Sequence, residues 1–133
     1  MSRYALAYAG AAVVFLAADL VWLGTIAKDL YRSQMGHLLA AEFRLGPAAL
    51  FYLMYVAGVV YFAVNPALAS GRSLDAIVPG AILGFLAYGT YDFTNWAVMR
   101  DWPVGLTFID LAWGTALTAL AAVAGAFVAL RLG

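Results

Sequence analysis

Residues 4–27 read YALAYAGAAVVFLAADLVWLGTIA, a run of 24 with a single charged side chain, Asp19. About 20 apolar residues in a helix cross the hydrocarbon core of a bilayer, so this run is long enough to span. It exceeds the roughly 7–15 apolar residues of a secretory leader, and no small-residue cleavage site separates it from Asp19-Leu20-Val21-Trp22. It is therefore read as a membrane span. Three further stretches repeat the pattern. Residues 47–64 carry no charge, residues 76–98 carry only Asp92, and residues 105–130 carry only Asp110. Backbone polar groups find no water in lipid, so each stretch must be helical, and four strands could not close a barrel. The expected fold is all-α: an integral membrane four-helix bundle in one domain, with helices at approximately 4–27, 47–64, 76–98 and 105–130.

The whole chain agrees with this reading. Of its 133 residues, 66% are apolar and 11% charged, with seven basic side chains against seven acidic ones. Soluble domains average about 45–50% apolar and about 25% charged residues. A soluble fold of this size has too much surface for its volume to hide the excess. A soluble enzyme, a basic-faced nucleic-acid binder, a disordered tail and a disulfide scaffold are all excluded. The absence of cysteine removes thiolate metal sites, iron–sulfur clusters and cysteine nucleophiles. A single histidine, His37, excludes His-rich di-iron sites and bis-His haem. The only lysine, Lys28, lies at a membrane edge, which argues against a mid-helix Schiff base. No cofactor, no metal and no nucleic-acid partner is expected.

The connections are short. Residues 28–46 hold Lys28, Asp29, Arg32, His37, Glu42 and Arg44, while Tyr31, Met35, Leu38 and Leu39 recur at helical spacing. This pattern predicts an amphipathic segment in the interface, broken into two short helices at Gly36. Pro47 falls in the first turn of the second span, where its missing N–H does no harm. Asn65-Pro66 is expected to end that span, Ser73 to cap the third, and Asp101-Trp102-Pro103 to turn tightly into the fourth. Four cations on the side of the 28–46 loop face three on the other, a slight bias towards that loop being cytoplasmic.

Counting helix directions brings the acids together. Asp19 lies near the end of the first span, Asp92 near the end of the third, and Asp110 near the start of the fourth, which runs back. All three belong to one leaflet, at the level of all four tryptophans and of Tyr52 and Tyr55. Asn95 stands one turn after Asp92 and Tyr88 one turn before it. Asp19-x-x-Trp22 and Asp110-x-x-Trp113 put the same pair on one helix face twice, which suggests a worn internal repeat. Acids inside membrane helices cost roughly 2.5–3.5 kcal/mol at the bilayer centre and less near the interface. They should face inward, share protons, or accept hydrogen bonds from Tyr, Trp, Asn or Thr. Each feature also has a plainer reading. Thr107-Phe108-Ile109-Asp110 fits a capping box that would make Asp110 a helix cap. Asp19 would tie helices together. The tryptophans would form an interfacial belt, with His37 at the interface. Gly80-x-x-x-Gly84 marks close packing against another helix or a second subunit.

Several strings carry a family resemblance. They are Asp19-Leu20-Val21-Trp22-Leu23-Gly24, Phe51-Tyr52-Leu53-Met54-Tyr55, Tyr88-Gly89-Thr90-Tyr91-Asp92-Phe93-Thr94-Asn95, Trp102-Pro103 and Asp110-Leu111-Ala112-Trp113-Gly114-Thr115. The chain resembles, over nearly its whole length, the bacterial predicted inner-membrane family catalogued as domain of unknown function 2177. Phe93 departs from the expected Leu. The resemblance implies four helices and the grouping of Asp19, Asp92, Asn95 and Asp110, and it brings no established activity.

The residues point first to a pocket for a lipid or amphipathic small molecule, with ligand-binding candidates Asp19, Trp22, Tyr52, Tyr55, Tyr88, Tyr91, Asp110 and Trp113. If chemistry follows, Asp92 is the candidate acid or base, with Asn95 orienting it. A homo-oligomeric proton-coupled transporter is one alternative, although such sites usually lie at the midplane. A non-catalytic accessory subunit is the other. The expected partners are membrane lipid and a small amphiphile, with a second copy or another membrane protein also compatible.

Overall fold

The computed structural model describes residues 2–38 and 44–133, and every regular element among them is helical. Among the described residues, four helical segments are long and apolar enough to cross a membrane: Arg3–Thr25, Leu45–Ser70, Ser73–Val98 and Val104–Leu132. Helix α1 (Arg3–Val21) starts at Ser2, whose hydroxyl accepts from the Ala5 N–H at 3.1 Å. It passes into a π-helical turn, Trp22–Ile26, just beyond Asp19. Helix α2 (Lys28–Met35) follows, then a 3-10 turn, Gly36–Leu38. The expected amphipathic helix is present, and Gly36 marks its end. Leu39, Glu42 and the second short helix expected there lie outside the described residues.

The second span differs from expectation. Helix α3 (Leu45–Val59) does not stop at Asn65-Pro66 but runs through a π-helical turn, Val60–Val64, into α4 (Asn65–Ser70). The wide turn shifts the register by one residue at the point where Pro66 would break an α-helix, because proline lacks an N–H and crowds the carbonyl four residues back. The Asn65 N–H then reaches the Val60 carbonyl. The Asn65 side chain donates at 3.0 Å to the Tyr61 carbonyl, which the shift leaves free. The helix ends at Gly71, where φ of +78° favours a residue without Cβ.

The Ser73 cap is also corrected. Arg72 is the flanking residue, Ser73 opens a 3-10 turn (Ser73–Ala76), and no side chain caps it. Helix α5 (Ile77–Val98) follows. The turn to α6 (Val104–Leu132) uses Asp101 at φ +62°, a left-handed conformation that a short polar side chain tolerates. This turn swings Trp102 back into the bundle, where its indole N–H donates to the Thr107 hydroxyl at 2.9 Å.

Helix α6 is the hub, packed along both α1 and α5. Small residues permit the approach. A Cβ on Gly125 would lie 2.7 Å from the Ala7 carbonyl, and one on Gly80 would lie 2.9 Å from the Ala119 Cα. Gly80-x-x-x-Gly84 thus packs on α6 of its own chain. The core is mostly small or branched, with Ala7, Ala11, Val59, Ala63, Ala122 and Ala126 fully or almost fully buried. The outer faces are apolar instead of charged, as with Leu50, Leu53, Met54, Val78, Ile82 and Leu86, which suits lipid as solvent. The second span joins the bundle mainly from Tyr55 onward. Residues 49–54 are exposed except for Tyr52, which leaves space between α3 and the other helices at the Asp19 end.

Candidate functional site

That space is a cavity of about 1280 Å³. Asp19 and Leu23 contribute from the first span, and Phe51 and Tyr52 from α3. Ala87, Tyr88, Tyr91 and Asp92 come from α5, and Leu106, Asp110 and Trp113 from α6. Helix α2 closes one side with Lys28, Tyr31, Arg32 and Met35, and Leu38, Arg44 and Trp102 complete the wall. The structure thus gathers Asp19, Tyr52, Tyr88, Tyr91, Asp92, Asp110 and Trp113 around one space. It does not bring the other three candidates to the wall. Trp22 stands behind Trp113, with rings stacked at 4.5 Å. Tyr55 is buried beneath, its hydroxyl 2.9 Å from that of Thr118. Asn95 is half-buried one turn past Asp92 and does not line the cavity.

Packing between helices explains the placement of the aromatic rings. Tyr88 reaches the cavity because its ring lies across Gly114, where any Cβ would overlap it. Below, Phe15 meets the edges of Tyr52 and Tyr55 at 5.5 and 5.4 Å, and Phe51 stacks on Tyr55 at 5.3 Å. These rings form an aromatic layer between the cavity and the alanine-rich core.

The three acids have different surroundings. Asp19, 8% exposed, accepts from the Tyr52 hydroxyl and, at 3.2 Å, from the Trp113 indole N–H. The two Asp-x-x-Trp segments therefore interlock: Trp113 serves the aspartate of the other helix and stacks on that helix's tryptophan. Asp110 is not a cap. Helix α6 begins at Val104 after Pro103, and Thr107, the proposed cap, is occupied with Trp102. Asp110 instead accepts from the Tyr31 hydroxyl at 3.0 Å. Asp92 is 1% exposed and its carboxyl neighbours that of Asp110. The Asp92 Oδ2 has no donor among the described residues, and neither does the Trp22 indole N–H have an acceptor.

Tyr31 was not among the expected site residues. Its signal was present in the amphipathic pattern of residues 28–46, but periodicity does not say what such a helix covers. Burial pushes its phenol well above the ordinary value, and the Asp110 carboxyl adds to this, so Tyr31 remains a donor at neutral pH. The tryptophans are less of a belt than expected. Trp96 is exposed, whereas Trp102 is buried and Trp113 lines the cavity with Trp22 stacked behind it. Among the described residues no group of three or more His, Asp or Glu is placed to hold a metal ion.

Comparison with known proteins adds a family. The model described as "Predicted membrane protein (DUF2177)" matches residues 4–127, so the chain belongs to that family. No curated protein and no solved structure is similar enough to count as a match.

Proposed function

We propose that this family member is a multi-pass protein of the bacterial inner membrane whose cavity binds or processes a lipid or amphipathic small molecule. The observation that carries this reading is the combination in one space of buried acids with apolar and aromatic walls. Small-molecule sites are usually concave and mostly apolar, with a few placed polar groups, and occupy about 300–1,000 Å³. This cavity is somewhat larger. Asp92, Asp110 and Tyr31 would meet a polar head, while Leu23, Met35, Phe51 and Leu106 would lie along a tail. Where chemistry follows binding, Asp92 is the group to take or give a proton, paired with Asp110. Proton-coupled transport and an accessory role rank behind. The far half of the bundle packs Ala, Val and Leu against each other and offers no second polar layer among the described residues.

The test is gentle extraction followed by mass spectrometry of bound small molecules, comparing the natural chain with Asp92→Asn. A distinct amphiphile lost only from the variant is the expected result. Bulk membrane lipid in equal amount from both would refute the reading.

A further inference from the structure

The charges around the cavity are sorted by depth. Lys28, Arg32 and Arg44 line it and are exposed, whereas Asp19, Asp92 and Asp110 line it and are buried. Among the described residues the one ion pair is Arg72–Asp75, at the opposite end of the bundle. The rim is thus cationic and the floor acidic, with no ion pair between them.

The floor has one fully buried acceptor with no donor among the described residues. Asp19 already receives two donors and Asp110 receives one, but the Asp92 Oδ2 receives none and is 99% buried with its side chain. Buried polar atoms in native proteins are nearly always paired. A ligand group that carries N–H donors and positive charge answers both the missing donor and the acidic floor. A primary ammonium has three such donors. A hydroxyl has a donor without charge, and a quaternary ammonium has charge without a donor. The aromatic walls, Tyr88 and Trp113, also favour a cation. The rim calls for an anion, since Lys and Arg are the usual phosphate partners.

We propose, resting on the amphiphile reading above, that the ligand's headgroup joins a phosphate to a primary ammonium by a short link. The ammonium lies at Asp92 and Asp110 and the phosphate at Lys28, Arg32 and Arg44. This chemistry belongs to an aminophospholipid such as phosphatidylethanolamine, and equally to its free headgroup.

The experiment titrates the delipidated protein in maltoside micelles with short-chain phosphatidylethanolamine, phosphatidylglycerol or phosphatidylcholine. Intrinsic fluorescence reports binding, because Trp102 and Trp113 line the cavity. Phosphatidylethanolamine should bind saturably and about tenfold more tightly than either of the others. Asp92→Asn should bring it level with phosphatidylglycerol. The double variant Lys28→Ala with Arg32→Ala alters exposed side chains and so keeps the fold. It should weaken phosphatidylethanolamine and phosphatidylglycerol together and leave their ratio unchanged. Equal binding of the three lipids by the natural chain would overturn the ammonium assignment and leave the amphiphile reading standing. Unchanged affinity in the double variant would overturn the phosphate assignment. No saturable binding of any lipid would overturn the amphiphile reading itself. Free phosphoethanolamine binding as tightly as the lipid would uphold the headgroup chemistry and overturn a membrane lipid as its source.

Discussion

Gly84→Ala tests whether the site depends on the contact between α5 and α6. A Cβ at Gly84 would lie 2.8 Å from both the Cβ and the Oγ1 of Thr118, and closer still to the Gly114 carbonyl oxygen. Ordinary contact begins near 3.4 Å. The carbonyl belongs to a helix backbone and cannot swing aside, so the helices must part locally by about 1 Å, and overpacking of this kind costs about 1–3 kcal/mol. Alanine also favours a helix over glycine by about 1 kcal/mol, which opposes the loss. Gly58→Ala isolates the steric part, because nothing lies within 4 Å of that position and the propensity gain is the same. Unfolding in mixed micelles, followed by circular dichroism, should place Gly84→Ala about 1–3 kcal/mol below Gly58→Ala. The effect should reach the site. Asp92 lies about 12 Å further along α5 and Asp110 about 6 Å from Gly114 along α6, at 1.5 Å per residue. Separating the helices there draws the two carboxyls apart, so ligand retention should fall with stability. Equal stability of the two variants would refute the argument that Gly84 sets the spacing of α5 and α6. Lost stability with unchanged retention would refute its extension to the site.

The other predictions concern individual polar groups. Asp92→Leu should keep or raise stability, by up to about 1–3 kcal/mol, because it removes an oxygen without a donor, while ligand retention is lost; mixed-micelle unfolding and bound-molecule mass spectrometry read the two effects. Asp19→Leu should do the opposite to stability, since it strands the Tyr52 hydroxyl and Trp113 indole donors, at about 1–3 kcal/mol for each group left unpaired. A double-mutant cycle between Asp19→Leu and Tyr52→Phe should show strong coupling, and additivity would contradict the hydrogen bond. Asp110→Ser should impair ligand retention at normal expression; full retention would refute a part for Asp110 in the site. Tyr31 holds its proton more tightly folded than unfolded. Its contribution to stability is therefore complete below the ordinary phenol value of 10.0 and declines as pH rises above it. The unfolding midpoint should fall less steeply above that pH in Tyr31→Phe than in the natural chain.

Much of the architecture was legible because hydrophobic length is a local property. Each apolar stretch needs only its own residues to be long enough to cross a bilayer, and lipid leaves a helix as the open choice. Short connections then force alternating directions, so counting alone put Asp19, Asp92 and Asp110 at one end. Local rules failed where a distant partner changed their meaning. Asn65-Pro66 reads as a stop, but a π-helical turn absorbs the proline. Thr107-Phe108-Ile109-Asp110 reads as a cap, but the helix begins earlier and Trp102 takes the threonine.

Which side chains meet was decided by the rotation and spacing of helices, set by small-residue contacts between segments far apart in the chain. Gly125 against Ala7 and Gly84 against Gly114 seat α1 and α5 on α6. That seating makes Trp113 the partner of Asp19 and Asp110 the neighbour of Asp92. It also leaves Asn95 off the cavity wall, although the same helix turn carries Asp92. Tyr31 is the clearest case: its spacing showed an amphipathic helix, and only the fold of α2 over the bundle brought its hydroxyl to Asp110 across 79 residues of sequence. The spans, their order and the end at which the acids gather could be read before any contact was known, because they follow from length, hydropathy and direction. The tertiary structure alone decided the hydrogen-bond partners and the buried acceptor at Asp92, because these depend on contacts that no stretch of sequence contains.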